Sequence, residues 1–204
     1  ALGGAGHLFH ANPDWVSRFA VLRDLVVMDW PPRYGDGLGG EVVLRAPLGY
    51  YLPAALLARG LGLSRADLLL LLWTWLGTAL FFAASFGGSR RQRLAGATLF
   101  VFASGLDAIG AWAASGMPPR PGMHIEWWAG SLQYSSNSTL LFWVPNHALA
   151  GWIPAAWLWR FRRSPRFLMH LPILFLPVML WSPLPALGLL PLAVAAIAAQ
   201  WRTC

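Results

Sequence analysis

The chain has 204 residues, of which 57% are hydrophobic and only 11% charged. Its mean hydropathy is +0.52. A soluble domain carries about 25% charged residues, so the composition excludes an ordinary soluble protein. The formal net charge is +7 and every basic residue is Arg. Arginines cluster in short turns between apolar runs, at 90–93 and 160–166, as cytoplasmic loops of a membrane protein require, and no nucleic-acid partner is expected. Thirteen Trp suit a protein with much of its surface at the headgroup layer.

The chain opens at Ala1 with no signal-peptide pattern, and a transmembrane helix upstream of Ala1 is expected. Asn12, Pro13 and Asp14 make a helix start, with Asn as cap, Pro at the first position and an acid in the first turn. Trp15, Phe19, Leu22 and Val26 then recur at helical spacing as one apolar stripe. Asp14 and Arg18 form an acid-to-base i,i+4 pair, and Pro31-Pro32 ends the helix. A charged face opposite a Trp-led apolar face predicts a helix lying on the membrane surface. A Gly-rich turn follows over 35–40. Residues 46–63 are apolar but carry Pro47, Pro53 and Arg59, which predicts an interfacial or re-entrant helix and no crossing. Residues 1–66 therefore form an external loop with two interfacial helices.

Residues 67–204 predict a transmembrane helical bundle. Five apolar runs, at 67–86, 94–115, 139–159, 167–182 and 184–201, are candidates to cross the hydrocarbon core, which takes about 20 apolar residues. The last two are short, interrupted by Pro and joined at Trp181-Ser182-Pro183, which predicts a tight hairpin. Arginines cluster at 90–93 and 160–166. Two spans separate the clusters, so both face the cytoplasm, and 1–66 and 116–138 face outward. The fold class read from the sequence is all-α, a polytopic membrane protein in a bacterial inner membrane. Cys204 is the only cysteine, so no internal disulfide forms.

The order of features over residues 10–95 resembles a known family. An acid at Asp14 is followed by the surface helix Arg18 to Leu25, the Asp29-Trp30-Pro31 turn, the stretch from Arg45 through Pro47, Leu48, Tyr50, Tyr51, Leu52 and Pro53, and a span ending at Ser89-Arg90-Arg91. This resembles the first external loop and second span of the GT-C-type membrane glycosyltransferases, which use polyprenyl-phosphate-linked sugars. The chain departs from the family pattern at Trp15, where a second acid often stands. Residues 100–160, with Ser104 to Asp107, His124 to Trp128 and Phe142 to Leu149, resemble uncharacterised bacterial multi-pass membrane proteins.

The resemblance implies a GT-C-like amino-terminal half and a sugar transfer from a lipid-linked donor on the external face. Asp14 would be the general base that takes the acceptor hydroxyl's proton. Asp14 reads equally as a helix-start acid paired with Arg18. Arg45, Arg120 and His124 are outward basic groups of the kind that hold a lipid phosphate. Trp127 and Trp128, with Gln133 to Thr139 beyond them, suit sugar stacking and hydrogen bonding, or an aromatic belt and a polar helix start. Asp107 and His147 lie inside spans, where ionisable groups are costly and face a partner or a cavity. Both sit roughly 12 Å below their outer ends at the helical rise, which predicts a hydrogen-bonded pair, structural or catalytic. His10 with Asp14 and His124 with Glu126 are too sparse for a metal site, and no cofactor is expected. Two functions fit: a GT-C-like transferase or a fragment of one, and a non-catalytic accessory subunit of a respiratory or photosynthetic membrane complex. The expected partners are membrane lipids, a polyprenyl-phosphate sugar and other membrane subunits.

Overall fold

The computed structural model describes residues 3–8, 11–37, 39–104, 106–120, 125–131, 134–164 and 166–201, the side chain of Trp201 excepted. Helix α1 (Asp14–Val27) buries Trp15, Leu22, Leu25 and Val26. That apolar face is covered by protein, chiefly α2 (Leu52–Leu61), where a lipid-facing stripe was expected. Asn12 does not cap α1; its Nδ2 donates to Asp14 Oδ2 at 3.3 Å. Arg59 of α2 donates to the Val26 and Met28 carbonyls at the far end of α1 and lies 5.1 Å from the Trp30 ring. A cation there satisfies orphan carbonyls and the negative end of the helix dipole.

The all-α expectation needs one correction. Strands β1 (Arg33–Gly35) and β2 (Glu41–Val43) pair antiparallel with Arg33 opposite Val43. Asp36 accepts the Gly40 backbone N–H at 2.8 Å and closes the loop, and Arg33 reaches Glu41 diagonally at 3.1 Å. Helix α2 is only ten residues long, about 15 Å at the helical rise, too short to cross. It ends at Gly62, whose φ of 100° is open to Gly at little cost.

Three segments are long and apolar enough to span a membrane: 63–85, 90–115 and 183–200. The first is α3 (Ala66–Ser85), the last lies in α9 (Pro183–Trp201). The middle one is α4 (Arg90–Phe102) and α5 (Asp107–Ser115), separated by non-helical residues. The expected span at 139–159 is likewise two pieces, α6 (Asn137–Trp143) and α7 (Pro145–Phe161). Pro145 lacks the N–H that would carry α6 through. Helix α8 (Phe167–Trp181) has 15 residues, short of a simple crossing.

Helix α7 lies between α3 and α9. Its neighbour α3 turns Leu70, Thr74, Gly77 and Phe81 inward, an i, i+4, i+7, i+11 stripe. A Cβ on Gly77 would meet Leu149 at 3.0 Å, and the Phe81 ring sits 5.4 Å from Trp152. Because 77 faces 149 and 81 faces 152, α3 and α7 run parallel. The arginine-rich turns that follow them therefore lie at one end of the molecule. Outward from the bundle α3 exposes Leu68, Leu72, Trp75, Leu76 and Leu80, a continuous apolar band suited to lipid.

At the opposite end the α8–α9 junction enters the core. Ser182 has 0% exposure, and Trp181 stacks on Trp73 at 5.9 Å and tilts against Tyr50 at 6.3 Å. A Cβ on Gly49 would come within 2.7 Å of the Trp181 Cα. The turn Leu48–Tyr50 can press on the hairpin because Gly49 has no side chain.

Candidate functional site

The most unusual side chain in the core is Arg18. It sits on the buried face of α1, one turn after Trp15 and one turn before Leu22, and is 12% exposed. Its guanidinium lies 5.3 Å from the Trp15 ring, and Trp15 Nε1 in turn donates to the Phe142 carbonyl at 3.1 Å. The Arg18 charge bears on Tyr51, Tyr50 and His147. Burial pushes the Tyr51 hydroxyl up to about 12, against the opposing pull of the Arg18 charge. Tyr50 is completely buried; its hydroxyl shares a hydrogen bond with Thr74 Oγ1 at 2.6 Å. His147 Nδ1 and Ser182 Oγ are 2.6 Å apart.

Asp14 stands at the rim. Its carboxylate is more than half exposed and 3.7 Å from Arg18 Nη2, longer than a hydrogen bond. The opposite nitrogen, Arg18 Nη1, is buried with no hydrogen-bond partner, as are Asn12 Oδ1 and the indole nitrogens of Trp73 and Trp181, which pack against the apolar core. Asn146, next to His147, has an unpartnered Oδ1. Buried donors without partners are rare and ask for an explanation.

A cavity of about 230 Å³ runs along α3 from Leu71 to Phe82, between α3 and Leu141-Phe142 of α6, with Gly3 and Ala5 over its end. Its walls are largely apolar, and Thr74, the partner of Tyr50, lines it. The stretch of α3 along the groove is about 16 Å long at the helical rise.

No protein-family model, curated protein or solved structure matches this chain. The site is therefore read from its own geometry.

Asp14 lies 3.7 Å from Arg18, and His147 feels the same charge at longer range. Asp107 is elsewhere: it is 5% exposed, begins α5, and accepts the indole N–H of Trp128 at 3.1 Å. The expected Asp107–His147 pair does not form, because each has a different partner. Trp128 is held further by Gly110, against whose position its ring lies. Trp127 keeps 69% exposure. Arg45 and Arg120 are both exposed, and His124 and His10 lie outside the described residues. Among the described residues no group of three or more His, Cys, Asp or Glu gathers to hold a metal.

The polar run after Tyr134 is engaged in structure. Ser136 caps α6 through the Thr139 N–H at 3.0 Å. Asn137 and Ser138 donate to the Phe100 and Val101 carbonyls at 2.9 and 2.8 Å, the orphan acceptors at the end of α4. Glu126 is buried and accepts from Ser135 at 2.7 Å.

Sequence reading treated Arg18 only as the partner of Asp14. The signal it passed over is spacing. Trp15, Arg18, Leu22 and Leu25 follow at intervals of three, four and three, so the arginine occupies the buried stripe itself. Trp181 and Ser182 carry no local signal, because only tertiary contact brings them to Tyr50 and His147.

Proposed function

We propose that this chain is a GT-C-like membrane glycosyltransferase, or part of one, that moves sugar from a lipid-linked donor at the outer face of a bacterial inner membrane. The observation that supports it best is the exposed Asp14 carboxylate 3.7 Å from the largely buried Arg18, in a molecule that also has an apolar groove along α3. A base, a cation and a channel for a hydrocarbon chain are the three parts such a transfer needs. Asp14 takes the proton of the acceptor hydroxyl. The freed oxygen attacks the anomeric carbon, and the bond from that carbon to the donor's phosphate oxygen breaks, its electron pair leaving with the phosphate. Arg45 and Arg120 are exposed and Trp127 is 69% exposed, as groups that meet a donor at the surface would be.

A second reading has its own support. Asp107 and His147 are both held in hydrogen bonds, as befits an accessory subunit whose buried polar groups only hold it together. Asp14→Asn separates the two. The amide keeps the shape and cannot accept the proton, so sugar transfer from a polyprenyl-phosphate donor in membranes bearing the chain should fall by about 100-fold or more. Undiminished transfer by a correctly inserted Asp14→Asn variant removes Asp14 from the chemistry. A wild-type chain that transfers nothing favours the accessory reading.

A further inference from the structure

A second groove, of about 350 Å³, lies between α7 and α9. It originates in the sequence of α9. The leucines of its first half give way to Ala193, Ala195, Ala196, Ala198 and Ala199, which leave the helix backbone nearly bare. Buried Leu158 and Ala196 and exposed Ala195 and Ala199 line the groove. Its charged lining residue is Arg162. The two helices run parallel: a Cβ on Gly151 would meet Pro185 at 3.8 Å near their starts, and Gln200 donates to the Ser164 carbonyl at 2.7 Å near their ends. The groove therefore runs from Ala155 and Leu192 to Arg162 and Ala199, about 10 Å at the helical rise. Its guanidinium stands at the end that the positive-inside rule turns to the cytoplasm.

Arg162 is held there by its own helix. Its guanidinium lies 3.7 Å from the Trp159 ring, and Nη1 donates to the Trp159 carbonyl. The rest of the fork meets no protein acceptor among the described residues. All eight Asp and Glu of the chain lie at or before Glu126, whereas Arg160, Arg162, Arg163 and Arg166 gather at this end. None of the four forms an ion pair among the described residues. Their counter-charge must come from outside the protein.

We infer that this groove holds an anionic phospholipid of the cytoplasmic leaflet, with an acyl chain along Ala195 and Ala199 and the headgroup phosphate at Arg162. An unfilled groove forfeits dispersion contacts, so the surrounding lipid supplies a chain, and the charge at its end selects which lipid. Basic pockets between membrane helices on the cytoplasmic side bind anionic headgroups, and phosphate oxygens match the fork of an arginine. Trp159, 69% exposed beside Arg162, suits the headgroup layer. A second copy of the chain is the poorer occupant. Inserted in the same direction, it would bring its own arginine turn against this one with no acid to offset either. The inference stands independently of the transfer reading, since neither Asp14 nor the groove along α3 enters it.

The test uses the full chain, stripped of lipid in a maltoside detergent and titrated with dioleoyl phosphatidylglycerol or dioleoyl phosphatidylcholine, with bound lipid counted by native mass spectrometry. Phosphatidylglycerol should fill a saturable site and bind more tightly than phosphatidylcholine, whose ammonium offsets its phosphate. Arg162→Gln should weaken phosphatidylglycerol by about tenfold or more, the scale of one charge-assisted hydrogen bond. Ala195→Leu puts a branched side chain into the groove from its exposed wall and should weaken it by about threefold or more. Arg91→Gln, an exposed arginine of the other cytoplasmic turn, should leave it unchanged. Equal binding of the two lipids overturns the proposal. So does an affinity unmoved by Arg162→Gln, which denies the phosphate contact. An affinity unmoved by Ala195→Leu, or an equal loss in Arg91→Gln, leaves only general attraction to arginine and overturns it too. Displacement by inorganic phosphate gives the site to a free anion, and a lipid-free dimer broken by Ala195→Leu gives it to a second copy; each refutes the lipid. Should Arg162→Gln fail to stay monodisperse, Ala195→Leu, on the exposed face of α9, carries the test.

Discussion

Asp107 and His147 show how far single residues could be read. Their depth in the apolar runs marked both as groups that need partners, and both have them. The identity of the partners depends on rotation about the helix axis, which the breaks before Asp107 and at Val144 reset. Trp128 became the partner of Asp107 through a loop with no periodic signal. Trp128→Phe should leave the buried carboxylate without its donor and destabilise by about 1–3 kcal/mol. Thermal unfolding in detergent measures this, and combining Trp128→Phe with Asp107→Leu should cost clearly less than the sum of the two. Strict additivity would break the assigned pair. A second contact is testable by titration. Asp24 Oδ2 accepts the Tyr34 hydroxyl at 2.6 Å, and that hydrogen bond holds the phenol above its ordinary value. A group raised in the folded state adds stability below its unfolded pKa of about 10, lost as pH rises through the folded value. The ultraviolet difference between wild type and Tyr34→Phe should therefore place this ionisation above pH 10; a midpoint at or below 10 would contradict the contact.

At the scale of elements, the long apolar run of α3 was legible end to end, because a run of leucines and aromatics of bilayer length admits little else. The surface helix α1 and its terminator were legible too. The runs at 94–115 and 139–159 were not, since hydropathy reports apolarity and says nothing of where the backbone leaves the helix. Membrane interiors tolerate such breaks only where the freed groups find partners. Asn137 and Ser138 are those partners for α4, so residues that resemble a sugar-binding surface in sequence are occupied in holding two broken helices together. Asn137→Ala should destabilise by about 1–2 kcal/mol with no change in sugar transfer. A silent thermal midpoint, or a selective loss of transfer, would return Asn137 to the binding surface. Gly49→Ala tests the meeting of the Leu48–Tyr50 turn with the hairpin. The added Cβ would meet Trp181 backbone at 2.7 Å, so the two segments must part, and overpacking of this kind costs about 1–3 kcal/mol.

For the whole molecule, the parallel course of α3 and α7 bears on orientation. It sets the arginine turns after both helices at one end and the Arg18 cluster, the Tyr50 turn and the α8–α9 junction at the other, the arrangement that the positive-inside rule demands. In a Cys204→Ser background, a thiol reagent added from outside should label Ser131→Cys and leave Ser89→Cys untouched. Strong labelling at position 89 would invert the assignment.

The burial of Ser182 against the amino-terminal segment also has a consequence in time. Gly49 leaves the ribosome about 130 residues before Trp181, its contact in the finished fold. At a synthesis rate of about 5–20 residues per second the wait is on the order of ten seconds. Throughout it the Tyr50 turn and Trp73 lack the cover that Trp181 provides. Nascent chains arrested before residue 181 should thus be far more open to added protease within 1–66 than chains arrested after α9, because the segment waits for a hairpin made long after it.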